Sequence, residues 1–133
     1  MSTRTFALIF GIVFLAVGAL GFVPPLVSPL HPGHPQMDGA GQLLGLFPIN
    51  ALHNIVHLLF AVWGLVASRS LSGSVFYARG VAIIYLVLTI AGFVPNLDIL
   101  FGLVPLFGND IWLHAFLALV AAYFGWAHRS PVA

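Results

Sequence analysis

The stretch "NALHNIVHLLFAVWGL", Asn50 to Leu65, decides how this chain is read. Its second half is apolar enough for lipid, while its first half carries Asn50, His53, Asn54 and His57. On a helix each residue turns by about 100°, so with Asn50 at zero, Asn54 lies near 40°, His53 near 300° and His57 near 340°. The four share one face. Ala61, Gly64 and Ser68 continue down it, all small, and the opposite face is Leu, Ile, Phe, Val and Trp. In hydrocarbon an unpaired polar group costs several kcal/mol, so this polar and small stripe must face protein.

The rest of the chain supplies that setting. Of its 133 residues 5% are charged and 61% hydrophobic, against about 25% charged in a soluble domain. Such a chain cannot cover itself with polar surface, so it reads as an integral membrane protein in the lipid bilayer, one domain over 1–133. Four arginines and no lysine make no basic patch, which excludes nucleic acid as a partner. The absence of cysteine excludes disulfides, thiolate metal sites and cysteine nucleophiles.

Charges mark where spans cannot run. A helix crosses the hydrocarbon with about 20 apolar residues, and the uncharged runs predict helices over about 5–23, 49–67, 79–95 and 111–128. Outer loops then cover 24–48 and 96–110, and an inner loop covers 68–78. Arg4, Arg69, Arg79 and Arg129 fall on one side of the spans, and Asp38, Asp98 and Asp110 on the other. Positive charge stays cytoplasmic, so both termini are expected inside the cell's inner membrane. Arg4, the apolar run and Val17–Gly18–Ala19 resemble a signal peptide, but Phe6 to Val23 exceeds the roughly 7–15 residues of a signal core.

The helices also repeat. "GFVP" occurs at 21–24 and again at 92–95, and "LLGLFPINALH" (43–53) resembles "LFGLVPLFGNDIWLH" (100–114). Gly64 follows His53 at the same distance as Gly125 follows His114. Two copies of two spans enter the membrane in the same direction, a parallel repeat about an axis along the membrane normal. The predicted fold is therefore an all-α integral membrane four-helix bundle built from two parallel two-helix repeats.

Helix 4 carries the same stripe: Asp110 and His114, then Ala118, Ala121 and Gly125. Helix 1 offers Ala7, Gly11, Gly18 and Gly21. Small residues let membrane helices approach closely. His53 and His114 each lie about 23 Å above the cytoplasmic arginines, at one level, with His57 one turn deeper and Asn50 and Asp110 above, so Asn50, His53, Asn54, His57, Asp110 and His114 should form one convergent cluster.

Three readings of that cluster stand. In the first it is a structural polar network, with Asn50 and Asp110 capping helices 2 and 4 and the histidines bonding across the helices. In the second, His53, His57, His114 and Asp110 hold a single transition metal ion, a ligand set that suits zinc, copper or iron. A haem between His53 or His57 and His114 fits less well, because the outer side has no cation for its propionates. In the third the cluster is part of a proton or small-solute pathway, since histidine titrates near neutrality. A rival from another class is an accessory subunit of a larger membrane complex, or a homo-oligomer, binding partner helices or pigments through its lipid-facing side. His31, His34, Met37 and Asp38 in the outer loop offer a surface metal-capture set or an ordinary Pro/Gly-rich turn. No carboxylate pair, phosphate loop or nucleophile–base pair is found, so the protein is expected not to be an enzyme.

The pattern "NALHNIVHLLFAVWGL", followed by "GFVP" and "LFGLVPLFGNDIWLHAFLALVAAYFGW", resembles the bacterial membrane family called domain of unknown function 4383 over roughly 45–127. Its Asn-x-x-His-x-x-x-His segment falls on Asn50, His53 and His57, and its Asp-x-x-Leu-His segment on Asp110, Leu113 and His114. The resemblance implies a four-span fold and no activity. The outer loop with His31 and His34 lies outside that pattern.

Overall fold

A computed structural model describes residues 1–129. Four helices dominate: α1 (Thr3–Leu20), α2 (Ala51–Ala67), α3 (Leu71–Ala91) and α4 (Asn109–Ala122). Helix α4 continues as a π-helical turn, Tyr123–Ala127, closed by the His128 N–H donating to the Tyr123 carbonyl at 2.7 Å. Three of these helical segments are long and apolar enough to cross a membrane: Thr3–Leu20, Leu71–Ala91 and Asn109–Ala127. The fourth, α2, has 17 residues and is equally apolar.

Helix α1 packs along α2 and α3 along α4, with α3 also against α1 and α2. Arg4 Nε donates to the Ser68 carbonyl at 2.9 Å, so the start of α1 meets the end of α2. At the other end of the pair, Gly21 lies directly against the Asn54 amide. The small stripes all turn inward: Ala7, Gly11, Gly18, Ala61, Gly64, Ala118, Ala121 and Gly125 are buried. Between them runs a ladder of rings. Phe6 stacks on Phe124 with centroids 4.7 Å apart, and Phe14 meets Tyr85 at 5.6 Å.

Two features correct the charge-based boundaries. The inner loop was expected over 68–78, but α3 already begins at Leu71. Ser70 caps it, its Oγ accepting from the Gly73 N–H at 3.0 Å, and the Ser74 hydroxyl is bonded to the Ser70 and Ala67 carbonyls. The serines that look like a polar loop are the cap and first turn of the helix. Arg79 therefore sits inside α3, and it reaches across to the end of α4, where Nε donates to the Gly125 carbonyl at 2.8 Å. A long side chain can leave its backbone in an apolar layer while the charge lies elsewhere, so an arginine does not mark a helix end.

The second correction concerns the all-α class. The segment between α1 and α2 forms a small antiparallel sheet in the order β1 (Val27–Ser28), β2 (Gly41–Leu43), β3 (Phe47–Ile49). Pro24, Pro25, Pro29, Pro32, Pro35 and Pro48 forbid a helix here. Gly41, Gln42 and Leu43 are nonetheless buried, and buried backbone must pair its N–H and C=O groups. Ladder pairing with the flanking strands does this, in the register Gln42 opposite Ser28 and Pro48.

The entries to α2 and α4 are built around two similar turns. In Leu43–Pro48 and in Leu100–Pro105 a non-glycine residue with positive φ, Leu44 (54°) or Phe101 (55°), precedes a positive-φ glycine, Gly45 or Gly102. In each, the Leu N–H after the glycine bonds back three residues, Leu46 to Leu43 at 3.0 Å and Leu103 to Leu100 at 3.2 Å. The two turns are then cross-linked. Asn50 Nδ2 donates to the Leu103 carbonyl at 2.8 Å, and Asn109 Nδ2 donates to the Leu46 carbonyl at 2.9 Å. This reciprocal pair holds the first turns of α2 and α4 side by side.

Candidate functional site

The crossed asparagines bring His53 and His57 of α2 face to face with His114 of α4. The His53 ring centroid lies 4.4 Å from that of His57 and 6.0 Å from that of His114. All three are buried, and one ring nitrogen from each lies within 4.8 Å of the others. Phe14 packs against His57 at 5.7 Å, and Tyr85 meets His114 edge-on at 5.0 Å, so aromatic rings close the site on two sides. Among the described residues this is the one group of three or more metal-ligand side chains.

Asp110 is 2% exposed and places Oδ2 3.7 Å from His53 Nδ1. It does not cap α4, which corrects the capping role expected from sequence. The residue before α4 is Gly108, at φ 66° and ψ −135°, and no side chain caps the helix there. That conformation is open to glycine and strained for other residues. Because the chain enters α4 through it, Asp110 falls in the first turn with its carboxylate inward. Asn50 does cap, its Oδ1 accepting from the His53 N–H at 2.8 Å. Asn54 is buried but lies against Gly21 of α1, apart from the group of three histidines.

Nδ1 of His53, His57 and His114 and Oδ2 of Asp110 are buried without a hydrogen-bond partner. His53 also bonds to the Pro48 backbone, and it meets Asp110 across α2 and α4 as a 3.7 Å ion pair. The three buried imidazoles could hold a metal ion, and the Asp110 carboxylate lies beside one of them. Tetrahedral zinc with bonds of about 2.0–2.1 Å places its nitrogen ligands about 3.3 Å apart.

Other polar residues go elsewhere. His31 Nε2 sits 3.3 Å from the Gly45 carbonyl, while His34 packs on Phe107 at 5.2 Å and against Gly108. His34 thus packs against the entry to α4 and His31 against the turn that leads to α2. Gln42 was not singled out by sequence reasoning. It is fully buried in β2, with both amide atoms unpartnered. A strand of three residues has no periodicity by which to find it.

Apolar helices around a buried polar centre define a membrane protein with an internal histidine cluster. The chain belongs to the family described as Domain of unknown function (DUF4383), whose model matches residues 4–127. The match takes in α1 and the three-stranded sheet, beyond the 45–127 carried by the motifs. No curated protein and no solved structure matches the chain.

Proposed function

We propose that this protein is an integral membrane four-helix bundle that binds one transition metal ion between α2 and α4 and performs no enzyme chemistry of its own. The observation that carries the reading is the group of three buried histidines, none with a hydrogen bond at Nδ1, beside the Asp110 carboxylate that faces His53 at 3.7 Å. Left alone, each costs several kcal/mol in an apolar surrounding. A cation coordinated by neutral imidazoles and balanced by Asp110 satisfies both kinds of atom. Asp110 takes a fourth ligand position or orients His53 from behind. Zinc, copper and iron all suit the donors. The hydroxyls that would serve as nucleophiles lie elsewhere, Ser68 and Ser74 being bonded to backbone carbonyls.

The membrane reading draws on the outward faces, where Leu59, Phe76 and Leu119 are among the most exposed residues. The two alike turns and the reciprocal Asn50–Leu103 and Asn109–Leu46 bonds favour an origin by duplication of a two-helix unit. With the arginines on the cytoplasmic side, both termini lie in the cytoplasm. Cysteines introduced at the exposed Ser28 and Ser72 test the orientation. An impermeant thiol reagent should label Ser28→Cys in intact cells and spare Ser72→Cys; the reverse would invert it.

The metal is tested on purified full-length protein. Stripping with chelator should lower the melting temperature, and zinc, copper(I) or iron(II) should restore it at one ion per chain. Ligation requires neutral imidazole, so the restored stability should be lost once acid protonates the histidines. A melting temperature indifferent to chelator and to all three metals would sink the proposal.

A further inference from the structure

Away from the histidines, α3 and α4 leave an open groove on the outside of the molecule. It has a volume of about 310 Å³ and is lined by apolar side chains alone, among them Ala82, Leu86, Ala115, Ala118, Ala122 and Trp126. The alanines make it: the two helices touch through Ala82 and Ala118, and no larger side chain fills the space outside them. One end of the groove is not apolar in its surroundings. Trp126 closes it, and the Arg79 guanidinium lies over the Trp126 ring at 5.5 Å.

Arg79 is held there from one side only. Its Nε donates to the Gly125 carbonyl, a group near the end of α4. It makes no other hydrogen bond among the described residues, and the one ion pair among them is His53–Asp110. The three acids of the chain, Asp38, Asp98 and Asp110, lie in or next to the loops at the far end of the helices. The remaining guanidinium N–H groups are therefore exposed donors with no carboxylate among the described residues to meet. Guanidinium pairs with phosphate through parallel N–H bonds, and tryptophan favours the membrane interface.

We propose that the α3–α4 groove binds one anionic phospholipid, an acyl chain lying along the alanine floor and the phosphate headgroup on Arg79 beside Trp126. On α3 the groove runs from Leu86 to Ala82, about 6 Å, and Arg79 lies one turn beyond Ala82, which leads an acyl chain toward the charged end. Apolar lining alone would accept any lipid; Arg79, beside the Trp126 end of the groove, selects for negative charge. The π-helical turn at Tyr123–Ala127 contributes by presenting the Gly125 carbonyl that steadies Arg79. This proposal rests on the membrane reading but not on the metal.

Brominated lipids test it through tryptophan quenching. The full chain is placed in nanodiscs of phosphatidylcholine and phosphatidylglycerol in equal amounts, with bromine on the acyl chains of one or the other. The Trp126 signal is the difference between the parent and Trp126→Phe. Brominated phosphatidylglycerol should quench that signal at least threefold more strongly than brominated phosphatidylcholine. Arg79→Gln should make the two equal, and Arg79→Lys, which keeps the charge, should retain the preference. Ala115→Leu with Ala122→Leu fills the groove and should weaken quenching by both lipids. Equal quenching in the parent overturns the proposal without recourse to any variant, as does a preference that survives Arg79→Gln. The parent measurement needs no metal, so its failure is distinct from failure of the histidine site.

Discussion

The two halves of the molecule reach the same polar level by different entries. Before α2 the chain passes through the three-stranded sheet, and Asn50 closes the helix start with its own side chain. Before α4 it passes through a shorter irregular segment and enters at Gly108, with no side-chain cap. The consequence is chemical. In the first half the polar residue at the helix start is committed to backbone. In the second the glycine entry leaves Asp110 free to face inward, 3.7 Å from His53. The halves also donate unequally: α2 brings His53 and His57, while α4 brings His114 and Asp110, with Ala118 one turn below His114 where α2 has His57. The histidine cluster is therefore asymmetric, with unequal contributions from the two helix pairs.

The comparison breaks most readily at the paired glycines. A Cβ on Gly64 would meet Tyr77 Oη at 2.8 Å and the Ala7 carbonyl oxygen at 3.0 Å, a ring and a backbone that cannot give way. A Cβ on Gly125 would meet Arg79 Cγ at 2.9 Å, part of a flexible side chain, with backbone only from 3.2 Å. Overpacking costs about 1–3 kcal/mol and occasionally more. Gly64→Leu should cost about 3 kcal/mol or more in unfolding measured in detergent, and Gly125→Leu about half of that. Equal losses would mean that the two helix pairs are packed alike.

Metal binding comes next. At a hundredfold excess over its Kd, a ligand stabilises the folded state by about 2.7 kcal/mol. His114→Gln and His57→Gln should each abolish that increment while leaving the metal-free protein nearly unchanged, since membrane hydrogen bonds average about 0.6 kcal/mol. If only the α2 variant lost it, the site would belong to one half.

The smallest effects separate the two asparagines. Asn50→Ala removes a helix cap and the bond to Leu103, together about 1–2 kcal/mol. Asn109→Ala removes the bond to Leu46 and the Trp112 Nε1 donation, but no cap, so it should cost under about 1 kcal/mol. Equal costs in thermal melting would show that the cap at α2 adds nothing.

Much of this was legible in the sequence. Runs without charge located four helices, and the helical spacing of Ala61 and Gly64, and of Ala118, Ala121 and Gly125, identified the buried faces. The place of His53, His57 and His114 followed from the same spacing. What was not legible depended on local context. Arg79 reads as a helix end because charge is costly in lipid, yet a flexible side chain separates the charge from its backbone. Asp110 reads as a cap because it sits at a helix start, and the glycine entry that denies it that role is visible only as a dihedral angle. Strands of two or three residues leave no pattern at all.

Whether the two halves share one metal ion can be measured by X-ray absorption on protein purified without chelator, after loading with a single metal. One ion per chain is expected, with three imidazole ligands in the parent and no stoichiometric ion in His114→Gln. An absence of bound metal in the parent, or an unchanged ligand count in His114→Gln, would contradict a site assembled from α2 and α4.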